Sequence, residues 1–185
     1  MLEIACGTGL WTRHLVRYAD AITALDASPE MIAINRARLG DERVRYVLTD
    51  IYAWQPDERY DAVFFGFWLS HVPPARFRAF WELVRACLAP GGRVFLVDSL
   101  YSESSVARDH GLEGREATAA LRRLNDGREF RVVKVFYEPA ELAARLGTLD
   151  WQAEVRGTAN YFPYGWAAPA AGARPCRPPA SGTSG

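Results

Sequence analysis

The sequence predicts a doubly wound α/β fold: a mostly parallel sheet of about seven strands, helices on both faces, and antiparallel strand(s) at its C-terminal side. Three observations predict it. Short β-rich runs alternate with helical patterns from the start of the chain to Asp98. The fourth of those runs, Tyr60–Phe65, is nearly all apolar, as a strand covered on both faces should be. The first run passes through Gly7-Thr8-Gly9 straight into a helical pattern, the kind of junction at which open α/β sheets hold ligands.

Each element has its own signal. Leu2–Cys6 reads as the first strand and Leu10–Ala19 as a helix with Trp11, Leu15, Tyr18 and Ala19 on one face. Ala21–Asp26 is the second strand. Ser28 offers an N-cap and Pro29 the favoured first helical position, opening a helix to about Leu39. Val44–Leu48 and Tyr60–Phe65 are the third and fourth strands. Pro73-Pro74 opens a helix whose Phe77, Phe80, Trp81, Val84 and Leu88 form one stripe; Ala89-Pro90-Gly91-Gly92 ends it, and Arg93–Asp98 is the fifth strand.

Past Asp98 the pattern loosens. Ser99–Glu129 is polar and Arg-rich, with a short helix expected around Glu116–Leu124. A strand at Phe130–Tyr137, a helix at Pro139–Leu146 and strand pieces at Trp151–Val155 and Ala159–Phe162 then read as an α+β addition to the same sheet. Residues 1–166 are expected to form one domain. Residues 167–185, rich in Ala, Pro and Gly and without an aliphatic side chain larger than Ala, read as a disordered tail.

Composition narrows the function. Lys plus Arg is 22 and Asp plus Glu is 22, so the formal charge is zero, which argues against a non-specific nucleic-acid binder. The longest apolar run, Ala62–Leu69, is far short of the ~20 residues that span a bilayer, so no membrane partner is expected. Cys6, Cys87 and Cys176 have no metal-ligand spacing and suit free thiols in a reducing cytoplasm; no metal is expected.

The first turn carries the chemistry. Two glycines two apart allow a tight turn and close approach of a ligand to the backbone. A dinucleotide-binding turn needs a third glycine three residues on, where this chain has Thr12, and Glu3 is foreign to that fingerprint.

Leu2-Glu3-Ile4-Ala5-Cys6-Gly7-Thr8-Gly9 resembles the first motif of the class I S-adenosylmethionine (SAM)-dependent methyltransferases, with Ala5 in place of the first glycine. Leu25-Asp26-Ala27-Ser28-Pro29-Glu30-Met31 resembles the end of that family's second strand, Leu48-Thr49-Asp50-Ile51 its third motif, and Leu88-Ala89-Pro90-Gly91-Gly92-Arg93-Val94 the turn into its fifth strand. Together these matches run over Leu2–Asp98 in the right order. The resemblance implies a Rossmann-like fold, SAM as cofactor, and methyl transfer to a small-molecule acceptor with S-adenosylhomocysteine as by-product.

It also implies site residues. Glu3, Ala5, Gly7, Thr8 and Gly9 would form the cofactor loop, with Glu3 ordering it and contacting the methionine end. Asp26 would hold the ribose hydroxyls with Ala27 beside it, Asp50 would accept from the adenine amino group, and Met31 and Ile51 would flank the base. Gly66 and Phe67, past the fourth strand, would line the cofactor, Trp68 would face the acceptor, and Trp11, at the head of the first helix, would either close over the cofactor or simply pack. His71 is the candidate general base, against the alternative that it only orders its loop. Tyr101, Tyr161 and Tyr164, together with His110, Arg122, Arg123, Phe162 and Trp166, are candidate acceptor contacts or packing residues. Family members carry a helical segment before the first strand, so the resemblance implies a chain shortened at its N-terminus. Two other classes stay open: a domain that binds SAM without turnover, and a nicotinamide-dependent oxidoreductase, opposed by Thr12 and by Leu88–Val94.

Overall fold

A computed structural model describes residues 1–102, 110–112, 118–123 and 126–171. A seven-stranded sheet forms its centre, in the order β3-β2-β1-β4-β5-β10-β9. The strands are β1 (Leu2–Ile4), β2 (Ile22–Asp26), β3 (Val44–Leu48), β4 (Tyr60–Gly66), β5 (Leu88–Val97), β9 (Trp151–Gly157) and β10 (Pro163–Pro169). The first five are parallel; the β9–β10 hairpin adds antiparallel to β5. The strand order reverses at β1, which lies between β2 and β4, so the site expected of a doubly wound sheet lies beyond the carboxyl ends of those strands.

Helix α2 (Pro29–Leu39) begins as its sequence predicts: the Ser28 hydroxyl accepts the Met31 N–H at 3.2 Å, and Pro29 sits in the first turn. Helix α3 (Phe77–Cys87), preceded by a 3₁₀ turn at Pro74–Arg76, buries Phe77, Phe80, Trp81 and Val84. That stripe meets Val63, Phe65, Val94 and Leu96 of β4 and β5, and Leu142 and Leu146 of α4 (Pro139–Gly147), in one core. Alternate residues Phe64 and Phe95 point to the other face of the sheet, where Phe95 is 43% exposed.

Five local expectations give way. Helix α1 spans only Thr12–Leu15, and it buries Thr12 and Val16 rather than the stripe running through Tyr18, which is 81% exposed. The segment expected as a helix around Glu116–Leu124 is a strand where described: β7 (Ala119–Arg123) pairs with β8 (Glu129–Val133) and with β6 (His110–Leu112) in a separate sheet. Cross-strand pairing outweighs the helix propensity of its Ala and Leu residues. It also ends the strand expected to run to Tyr137 at Val133.

Ala159–Phe162 is the turn of the last hairpin rather than a strand: the Thr158 hydroxyl accepts the N–H groups of Tyr161 and Phe162. The partner strand starts at Pro163 and carries Ala167–Pro169, which composition assigns to a tail. Ala167 is fully buried between Val94 of β5 and Ala153 of β9, where a small side chain suits close sheet packing. Residues 172–185 of the expected tail lie outside the described residues.

Candidate active site

The turn after β1 is built around one carboxylate. Asp26, at the tip of β2, accepts the Gly7 N–H on Oδ2 at 2.8 Å and the Ser28 N–H on Oδ1 at 2.9 Å. One side chain thereby ties the glycine turn to the start of α2. Ala5, Gly7 and Gly9 all have positive φ, at 56°, 53° and 85°. Ala5 takes that conformation with a Cβ, at a cost of about 1 kcal/mol. Gly9 is required twice over, since a Cβ there would lie 2.5 Å from Asn35 Oδ1. Gly7 faces open space, which leaves its backbone approachable.

Beneath the turn runs a buried polar network that sequence reasoning missed. Asn35 of α2 donates to the Thr12 hydroxyl at 2.9 Å and accepts from the Tyr46 hydroxyl at 3.0 Å. Thr12, the residue that breaks the dinucleotide pattern, is fully buried there. Glu3 is 1% exposed, and its Oε2 has no partner among the described residues. Burial raises its pKa to about 7, opposed by the Thr12 hydroxyl and reinforced by the charge of Asp26.

Raising a carboxyl pKa from its ordinary value of 4.5 to about 7 makes the folded state bind more protons than the unfolded chain between those limits. The contribution of Glu3 to stability therefore falls as pH rises from about 4.5 to 7 and changes no further above. Glu3→Gln is expected to flatten urea-unfolding curves compared at pH 5, 6 and 8, and to stabilise the protein at pH 8 by about 1–3 kcal/mol. An unchanged pH slope in the variant would show that Glu3 is ionised throughout.

Aromatic rings shape the next part of the rim. Trp11 stacks over the end of β4, its ring centroid 5.3 Å from Phe64 and 6.3 Å from Phe67; Phe67 meets Phe162 at 5.7 Å, and Phe162 meets Tyr161 at 6.2 Å. Gly66 is the seat for Trp11, since a Cβ there would strike the indole Nε1. Phe67 itself has a positive φ of 57°. Trp11, Phe64, Phe95, Phe162, Tyr164 and Trp166 border a groove of about 660 Å³ on the sheet face.

The turn after β4 is held by a second carboxylate. Asp98, buried at the end of β5, accepts the Ser70 N–H at 2.9 Å and the Ser99 N–H at 2.7 Å. His71 Nδ1 lies 2.7 Å from the Val133 carbonyl. A carbonyl only accepts, so Nδ1 carries the proton and the neutral ring keeps its lone pair on Nε2. Burial lowers the pKa of His71, with the Lys134 and Arg122 charges acting the same way and the Val133 bond and Asp98 opposing. Asp50 accepts the Tyr52 N–H at 2.9 Å and is otherwise exposed.

A family description, "Methyltransferase domain", matches residues 1–92. Ubiquinone biosynthesis O-methyltransferase from Xanthomonas campestris pv. campestris (strain B100) is 32% identical over 173 residues, covering 89% of this chain and 67% of that protein. Among solved structures, the DhpI-SAH complex superposes with a TM-score of 0.79 at 46% identity, over 92% of this chain and 76% of that one. The DhpI-SAM-HEP complex gives 0.80 at 47%, over 91% and 77%. The chain is a class I SAM-dependent methyltransferase.

The methyltransferase has groups suited to its cofactor. The open backbone at Gly7 and the orphaned buried oxygen of Glu3 fit a ligand with an aminoacyl end, and Asp26, with lone pairs beyond its two backbone bonds, fits a diol. Met31 is half-buried and Ala27 exposed, while Ile51 is 5% exposed in the main core, so it can offer only an edge.

Of the candidate acceptor contacts, Trp68 is half-buried after β4, its Nε1 without a partner among the described residues. Tyr101 stacks on Phe136 at 5.5 Å, close to Lys134, whereas Tyr161 and Tyr164 stand with the aromatic rim and the sheet-face groove. Structure therefore divides these tyrosines between two places. His110 lies in β6, its side chain outside the described residues. Asp98 carried a readable signal, an acid at a strand tip like Asp26; Lys134 and Asn35 carried none.

Proposed function

We propose that the methyltransferase methylates an oxygen of a small-molecule acceptor, with Glu3, Gly7, Asp26 and Asp50 holding the cofactor and His71 accepting the acceptor's proton on Nε2. The neutral His71, oriented by the Val133 carbonyl beside the turn after β4, is the observation that supports it most. The Xanthomonas relative is named an O-methyltransferase, which favours oxygen as the nucleophile. SAM supplies a methyl group made electrophilic by its positive sulfur. The chain supplies the rest. The Asp26-tied turn and the Asp98-braced turn fix where the two reactants lie, and the rings of Trp11 and Phe67 narrow the space open to water.

Free thiols at Cys6 and Cys87, both buried and pushed up to about 12 by burial, suit a reducing compartment, and we place the enzyme in the cytoplasm. No described helix is long and apolar enough to cross a membrane.

Calorimetry with S-adenosylhomocysteine, then transfer of labelled methyl from SAM to a panel of phenols, alcohols and carboxylic acids, tests the function. Binding at one site per chain and label recovered as ether or ester are expected. No heat on folded protein, or label only on amines or thiols, would overturn it.

A further inference from the structure

We propose that the methyl acceptor carries an oxyanion group, a carboxylate or phosphoryl, and that Lys134 and Arg122 bind it beside the turn after β4. This rests on methyl transfer at the same site. Lys134 Nζ is held over the chemistry-bearing turns: it donates to the Ser70 hydroxyl at 2.9 Å and to the Ser99 hydroxyl at 3.4 Å, and lies 3.8 Å from Asp98 Oδ1. Its side chain is only 13% exposed. The register of the small sheet brings Arg122 to the same side. The Lys134 N–H bonds to the Thr118 carbonyl, Ala120 faces Val132 and Arg122 faces Phe130, so Thr118, Ala120 and Arg122 share the face that carries Lys134. Ala120 is buried and Leu121 exposed, so this face turns inward at Ala120, and it opens to solvent at Phe130 opposite Arg122.

The charges do not cancel. Lys134 and Arg122 contribute two positive charges, His71 is neutral, and among the described residues Asp98 is the one carboxylate acting on both Lys134 and His71. Asp98 already accepts two backbone N–H groups. Five other arginines meet carboxylates: Arg43 with Asp41, Arg45 with Asp57, Arg123 with Glu129, Arg128 with Asp126 and Arg156 with Glu154. Arg122, half-buried, makes no hydrogen bond or ion pair with a described residue. A cationic pair kept short of counter-charge in a half-buried position favours an incoming anion. The chemistry of the donors selects its type. A guanidinium presents a planar fork that matches carboxylate and phosphoryl oxygens, and the Ser70 and Ser99 hydroxyls, accepting from Lys134, each keep an O–H to give.

The test titrates the full chain with inorganic phosphate and, separately, with acetate, each with and without S-adenosylhomocysteine, read by calorimetry and by amide NMR shifts. One anion or both should bind saturably below about 50 mM, more weakly as ionic strength rises. Phosphate preferred over acetate assigns a phosphoryl group, and the reverse a carboxylate. Arg122→Gln and Lys134→Met should each raise the anion Kd about tenfold and leave the S-adenosylhomocysteine Kd within about twofold. Lys134 is bonded into the Asp98 brace, so if Lys134→Met does not fold, Arg122→Gln, which removes no bond to a described residue, decides. No saturable binding to the wild type, or an unchanged anion Kd in Arg122→Gln, overturns the proposal. Anion binding without S-adenosylhomocysteine binding would instead overturn the methyl-transfer function and leave the anion site standing.

Discussion

Asp26→Ala is expected to weaken S-adenosylhomocysteine binding by about a hundredfold or more. The side chain does two things at once. Its oxygens accept the Gly7 and Ser28 N–H groups, and its remaining lone pairs are the ones suited to a ribose diol. Hydrogen bonds to a charged group contribute about 1.5–3 kcal/mol each, and about 2.7 kcal/mol already corresponds to a hundredfold in Kd. The loss also releases a turn in which Ala5, Gly7 and Gly9 all hold positive φ, so the unliganded site loses its preorganisation as well as a contact. Asp26→Asn retains one carbonyl acceptor and is expected to fall between wild type and Asp26→Ala. Calorimetry on variants shown to be folded by circular dichroism decides. A Kd within threefold of wild type in Asp26→Ala would mean that the cofactor is held elsewhere.

His71→Asn is expected to lower kcat about 10²- to 10⁴-fold for a hydroxyl acceptor while leaving cofactor affinity nearly unchanged. Asparagine places an amide N–H where Nδ1 stands, so it can keep the bond to the Val133 carbonyl while deleting Nε2. This separates a base from a loop anchor. If His71 only orders its turn, Asn preserves activity and His71→Ala does not; if Nε2 takes the proton, both lose kcat. The pH profile adds a second readout. Burial and the neighbouring Lys134 and Arg122 charges lower the His71 pKa, so the acidic limb of kcat should lie below the ordinary histidine value and vanish in His71→Asn. A profile with the same acidic limb in the variant would exclude the base role.

The same residue shows how far local signals reach. His71 stood out because its side chain titrates near neutrality and it follows the fourth strand, yet its tautomer depends on Val133, 62 positions away in the chain. Asp26 was recognisable as a strand-tip acid; that it accepts from both Gly7 and Ser28 depends on how β2 lies against β1. Trp11 was readable as a ring at the head of a helix, while its seat on Gly66 arises only once β4 is placed beside β1. Lys134 has no neighbour in sequence that marks it, and its partners Ser70, Asp98 and Ser99 come from two other strand ends.

Sequence alone determined the parallel half of the sheet, the capped start of α2, the apolar stripe of α3 and the glycine turn with its acidic companions. Each depends on interactions within about a dozen residues: apolar period, a cap, a proline, a glycine that accepts positive φ. Tertiary structure decided the rest: that Ala119–Arg123 is a strand, that Ala167 is core, that Glu3 keeps an orphaned oxygen, and that Lys134 and Arg122 share a face. Those outcomes follow from pairing register and desolvation among segments far apart in the chain, and neither quantity exists until the sheet has closed.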